Sequence, residues 1–192
     1  MARKVPAPDL LSSRRKAREG EDQDKGETVA SLEAALGGQY ITAADMGRCT
    51  LGLMYWPRCE FKTLLQPKAE YAIAKRWLDA IYEVVVPDLV VIEGYSFGSL
   101  WMAQRNAEVI GIVKWELDRN GTAYVCIPPT QVKKALTGKG RASKQEMIGM
   151  AQSLGFDVKT EHEADALGLL MAYARNTRNQ DAREGSTTDG NG

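Results

Sequence analysis

The sequence predicts an α/β domain built on one mixed sheet. Three observations predict it. Three strand-like runs are separated by short turns, and an alternation of helical and strand periodicity follows them. The run Leu89-Val90-Val91-Ile92 is uninterrupted and apolar, the pattern of a strand whose sheet is covered on both faces.

The elements follow in order. Strands fall at about 39–45, 49–56 and 59–65, with Met46-Gly47-Arg48 and Trp56-Pro57-Arg58 as the two hairpin turns. A helix over about 69–86 carries Ala72, Ile73, Trp77, Ile81 and Val84 near helical spacing and stops at Pro87-Asp88. After the strand at 89–92, a second helix spans about 99–118 and ends near Asn120-Gly121. A strand over 122–127 is stopped by Pro128-Pro129, short helices follow at about 130–136 and 143–154, and a last helix starts near Thr160.

Composition frames this reading. At 192 residues, 44% apolar and 26% charged, the chain has room for one domain with a real core. Net charge is zero, so any nucleic-acid surface must be local. Cys49, Cys59 and Cys126 form no close-spaced pair, which argues against a zinc site or a disulfide framework and suits a reducing cytoplasm. No apolar run approaches the roughly 20 residues of a membrane span, and the first residues, Met1-Ala2-Arg3-Lys4-Val5-Pro6, lack the apolar segment of a secretory signal. Residues 1–38, with basic Arg14-Arg15-Lys16-Ala17-Arg18 beside acidic Glu19-Gly20-Glu21-Asp22, read as a disordered charged arm with a transient helix at 28–36. Residues 39–175 hold the periodicity, and 176–192 read as a flexible tail.

Four side chains stand out as a candidate site. Asp45 ends the first strand, Glu93 ends the apolar run at 89–92, and His162 and Asp165 are spaced to share one helix face. Carboxylates brought from separate elements suit divalent ions of the Mg²⁺ type. Taken singly, each has an ordinary alternative: Asp45-Met46-Gly47 as a turn, and His162 as a solvated surface residue in a first helical turn. Glu93 is harder to dismiss, because strand C-terminal ends in α/β sheets commonly carry sites. Thr160-x-x-Glu163 fits a capping box, which assigns Glu163 to structure and leaves Glu161 as a spare ligand candidate. Lys133, Lys134, Lys139, Arg141 and Lys144 lie within twelve residues, with no acid among them. Gly138 and Gly140 let backbone approach a phosphate, and the helix starting near Ser143 favours an anion.

Four motifs in this order resemble the RuvC family of Holliday-junction resolvases. They are Ala44-Asp45-Met46-Gly47-Arg48 with Thr50 and Gly52; Val91-Ile92-Glu93-Gly94-Tyr95-Ser96-Phe97; the segment from Pro129 to Lys144; and His162-x-x-Asp165-Ala166-Leu167. The resemblance covers most of 39–175, and the third and fourth motifs are the most specific. It implies a ribonuclease H-like fold: a five-stranded mixed sheet, the first three strands antiparallel and the rest parallel, flanked by helices. It implies metal-dependent hydrolysis of a DNA phosphodiester, with two Mg²⁺ ions (Mn²⁺ substituting) about 4 Å apart held by Asp45, Glu93, Asp165 and His162. His162 would act as ligand or general base where many members have aspartate.

By the same resemblance, Lys133 and Lys144 lead the phosphate contacts, and binding should weaken steeply with salt. Tyr95 or Phe97 would stack on an unpaired base, although a core-packed ring is the alternative. Branched DNA, chiefly four-way junctions, would be the substrate of a C2 homodimer, with Trp101, Gln104, Arg105 and Trp115 at or near its interface. A cytoplasmic location in a prokaryotic cell or a phage-infected host follows. A non-cleaving junction binder on the same fold, or a nuclease of broader flap and fork specificity, is the alternative. An actin-like ATPase, suggested by Asp-x-Gly after a strand, needs a second subdomain that the chain is too short to hold.

Overall fold

A computed structural model of the chain describes residues 28–46, 50–65, 70–94 and 100–186. Its elements in order are α1 (Val29–Leu36), β1 (Ile41–Met46), β2 (Thr50–Trp56), β3 (Glu60–Leu65), α2 (Glu70–Ile81), β4 (Leu89–Glu93), α3 (Leu100–Arg119), β5 (Ala123–Ile127), α4 (Pro129–Thr137), α5 (Lys144–Ser153) and α6 (Glu161–Ser186). The five strands form one sheet in the order β3-β2-β1-β4-β5. β1 is antiparallel to β2, β2 to β3, while β4 runs parallel to β1 and to β5. The mixed α/β architecture expected from the sequence is the one observed.

Side-chain alternation divides the core between two faces. On one face, Ile41, Ala43, Met54, Trp56 and Val91 pack with residues of α1, α4, α5 and α6. On the other, Ala44, Leu51, Leu53, Tyr55, Val90 and Ile92 pack under α2 and α3. Both faces are covered, which is why β4 reads as a continuous apolar run. Asp45, Gly52 and Glu93 are in step with Ala43, Met54 and Val91, so they project toward the α6 face.

Three segments differ from the sequence reading. α1 is anchored rather than part of a loose arm: Leu32 and Leu36 are buried in the α6-side core, and Thr28 caps the helix through the Ser31 amide. Two leucines four apart bury one face against α6, a gain that charge composition does not reveal. α2 ends at Ile81, short of residue 86, because the β-branched run Val84-Val85-Val86 favours extended backbone and Pro87 follows. α6 continues to Ser186, so residues 176–186 are helical rather than a flexible tail. The rest of the expected arm (1–27) and tail (187–192) lies outside the described residues.

Leu32→Ala should lower stability by about 2–4 kcal/mol through lost burial and a residual cavity. Urea unfolding of the full chain measures it; an unchanged midpoint would mean that α1 does not dock.

Candidate active site

The site is assembled along one row of the sheet. Thr63 on β3 pairs in register with Gly52 on β2, and Gly52 with Asp45 on β1. Ala44 pairs with Ile92, so one residue further along Asp45 and Glu93 fall side by side. All four residues face α6. Parallel strands β1 and β4 both end here, so two carboxylates emerge at their C-terminal ends.

The first turn of α6 lies directly on this row. A Cβ built on Gly52 would come within 2.2 Å of the His162 carbonyl oxygen and 2.6 Å of the His162 Cβ. Only a residue without a side chain allows that approach. Thr63 fixes the same turn from the next strand. Its hydroxyl donates to Glu163 Oε1 at 2.8 Å and lies 2.9 Å from the Thr160 hydroxyl. Glu163 in turn accepts from the Lys159 amide at 2.7 Å and the Thr160 amide at 3.2 Å, while its own amide donates to the Thr160 hydroxyl. The capping box read from the sequence is present, and Glu163 is buried in this structural role.

Held in this way, His162 Nδ1 lies 2.7 Å from Asp45 Oδ2. A carboxylate only accepts, so the ring nitrogen donates. In the neutral ring this leaves the lone pair on Nε2, the usual arrangement of a working imidazole with its second nitrogen oriented by a carboxylate. Asp45 itself is 3% exposed.

Burial, and then crowding of acids, sets the electrostatics. Burial, then the charge of Asp45 and a hydrogen bond with it, push Glu93 up to about 9. Burial, then the charge of Glu93, push Asp165 up to about 6. Lys133 and His162 act in the opposite direction on both groups. Asp45, Glu93, His162 and Asp165 therefore occupy one electrostatic neighbourhood, with Lys133 beside them. A set of three carboxylates and an imidazole suits a divalent cation, whose charge would offset this repulsion. Among the described residues, however, no three His, Cys, Asp or Glu side chains are arranged so that they already hold an ion. The direct Asp45–His162 and Asp45–Glu93 contacts join these side chains to one another instead.

The basic segment divides. Lys133, on α4, is half-buried beside Glu93 and Asp165, where Gly168 admits the close approach of α4 to α6: a Cβ there would meet Val132 Cγ1 at 2.8 Å. Lys134 and Arg141 are exposed. Lys139 pairs with Glu146 at 2.9 Å, and Lys144 pairs with Glu161. Reading the run as free of acids overlooked both partners, which arrive from beyond its end. Tyr95 and Phe97 lie outside the described residues. Thr63 carried no local signal at all. Gly52 stood inside a recognised motif, but its reason lies in the approach of α6.

This sheet order, with helices on both faces and acids at the ends of adjacent parallel strands, is that of the ribonuclease H-like class. No family model matches the chain. It is 36% identical over 118 residues to the crossover junction endodeoxyribonuclease RuvC of Gloeobacter violaceus, covering 56% of this chain and 68% of that protein. It is 30% identical over 101 residues to the RuvC of Corynebacterium glutamicum, covering 50% of this chain and 44% of that one. In fold it is similar to Thermus thermophilus RuvC in complex with Holliday junction substrate: TM-score 0.56, 21% identity, 73% of this chain and 95% of that chain. The chain belongs to the RuvC family of crossover junction endodeoxyribonucleases.

Two outcomes test this geometry. A carboxylate whose folded pKa is raised incurs no penalty below its unfolded value near 4.5; the penalty grows as pH rises toward about 9 and is constant above it. Glu93→Gln should therefore raise the melting temperature in EDTA at pH 8, on the order of 5 °C, with the gain vanishing near pH 4.5 in thermal scans. Gly52→Ala should displace His162 and lower cleavage by roughly 10²-fold, read in a rate assay alongside the melting temperature.

Proposed function

We propose that this chain is a divalent-metal-dependent endonuclease that cuts branched DNA, chiefly four-way junctions. The observation that carries the reading is the row of acids under α6, with Lys133 over it and His162 oriented by Asp45. Asp45, Glu93 and Asp165 would hold the cation, with His162 as a further ligand or as the base beside it, and Mg²⁺, with Mn²⁺ as substitute and two ions per site, fits an oxygen-rich donor set. A bound cation supplies Lewis acidity at the phosphate and charge stabilisation at the leaving oxygen.

The chain's own residues supply the rest. Glu93 must release the proton that burial and Asp45 hold on it before all three carboxylates can act as ligands. With Nδ1 donating to Asp45, His162 Nε2 is the ring atom left to act, either as a ligand to the cation or as the base that takes a proton from the attacking water as its oxygen adds to phosphorus. Lys133 places a fixed positive charge where charge develops on the phosphate. Lys134, Lys139, Arg141 and Lys144 extend that field along the DNA backbone without reading sequence. Tyr95 or Phe97, just beyond Glu93, would stack on a base unpaired at the junction centre.

Two symmetric cuts require two equivalent sites, which a C2 homodimer supplies. Trp115, 61% exposed on α3 and stacked with Arg119 at 5.5 Å, suits such an interface, with Gln104 on the same helix. Among the described residues no helix is long and apolar enough to cross a membrane, and the reducing cytoplasm of a prokaryotic cell or an infected host is the expected setting.

Synthetic four-way, three-way and linear duplexes incubated with Mg²⁺ or Mn²⁺ test this reading. Asp45→Asn should reduce cleavage of the four-way substrate on the order of 10³-fold or more while junction binding persists. Equal cutting of the linear duplex, or normal cutting by Asp45→Asn, would overturn it.

A further inference from the structure

Two of the basic residues around the start of α5, Lys139 and Lys144, are each paired, and the two pairs are not equivalent. Lys139 binds Glu146, whose other oxygen accepts from the Ser143 amide at 2.8 Å in the α5 capping box. That carboxylate is committed to the helix. Lys144, the first residue of α5, instead donates to Glu161 Oε1 at 2.5 Å, and Glu161 is the first residue of α6. The partners are 17 residues apart on separate helices, so only the convergence of the two helix N-termini brings them together. Among the described residues Glu161 hydrogen-bonds Lys144 alone, and the same Oε1 lies 3.6 Å from His162 Nε2. Glu161 thus bonds Lys144 on one side and stands beside the His162 ring, whose other nitrogen is bonded to Asp45, on the other. Glu161 is the exchangeable member, since nothing in the α6 cap holds it.

We propose that Glu161 is a positioning residue that competes with DNA phosphate for Lys144, holding the ammonium at the rim of the acid cluster until a phosphate displaces it. This inference rests on the nucleic-acid reading of Lys144. The side chain of Lys144 is 75% exposed, so its pairing with Glu161 is screened and weak. A phosphate offers several acceptor oxygens and sits favourably against the first amides of α5, so it replaces one carboxylate oxygen without leaving the ammonium unpaired. Once released, the Glu161 carboxylate remains beside His162 and Asp165. Its charge then reinforces the acid cluster at the moment when substrate is in place. The arrangement makes DNA loading and completion of the anionic site one linked event, and it penalises any DNA contact that fails to reach Lys144.

The test is junction affinity without divalent ions, read by fluorescence anisotropy on a labelled four-way junction over a salt series. Wild type is compared with Glu161→Gln, Lys144→Met and the double variant, with the melting temperature of each confirming an intact fold. Glu161→Gln should bind about three- to tenfold more tightly, because one competitor is removed. The double variant should match Lys144→Met, which binds more weakly than wild type with a salt slope shallower by about one phosphate. Cleavage with Mg²⁺ should show KM falling in Glu161→Gln without a rise in kcat. Unchanged or weaker binding by Glu161→Gln would overturn the proposal, as would equal tightening in the Lys144→Met background, since bulk charge alone would then account for it. Unchanged affinity in Lys144→Met would sink the DNA contact of Lys144 itself, and with it the competition.

Discussion

The contact on which the site depends is that of the first turn of α6 with Gly52 of β2. A helix cannot normally bring its backbone within touching distance of a strand, because the strand's Cβ atoms stand in the way. Removing one Cβ brings the His162 backbone down onto the sheet. From there the imidazole reaches Asp45 in the neighbouring strand, and Asp165, one turn further along α6, comes within the field of Glu93. A single missing side chain thus sets the depth at which three separate elements meet.

That approach needs lateral restraint, and the sheet provides it from the next strand. Thr63 and Glu163 tie the α6 cap to β3, in the same register row as Gly52 and Asp45. The polar groups of the helix start, which would otherwise be orphaned against a covered sheet, are satisfied by this network. On the other side, Gly168 lets α4 close against α6 and carries Lys133 toward the acids. The acid cluster is accordingly held by a rigid frame of strand row, cap and helix pair. Burial of its carboxylates, and the repulsion among them, appear as raised pKa values rather than as a splayed site.

The same frame accounts for the division of the basic residues. Lys133 belongs to the interior of the site, whereas Lys139 and Lys144 stand at the converging starts of α5 and α6 and find acids there. A chain of zero net charge can in this way carry a basic segment whose positive charge is partly masked.

What the sequence determined by itself was local and periodic. The apolar run of β4, the turn between β2 and β3, the Pro128-Pro129 stop after β5 and the Thr160–Glu163 box depend on neighbours a few positions away, and so does the marking of four residues as site candidates; such patterns survive in one dimension. Tertiary structure decided everything that rests on distant partners. Leu32 and Leu36 turn a charged arm into a docked helix because α6 covers them. Thr63 becomes part of the site because register places it opposite Gly52. Lys144 acquires Glu161 because two helix starts converge. Long-range contacts of this kind leave no period and no spacing in the chain, so their energies enter only when the fold brings the partners together.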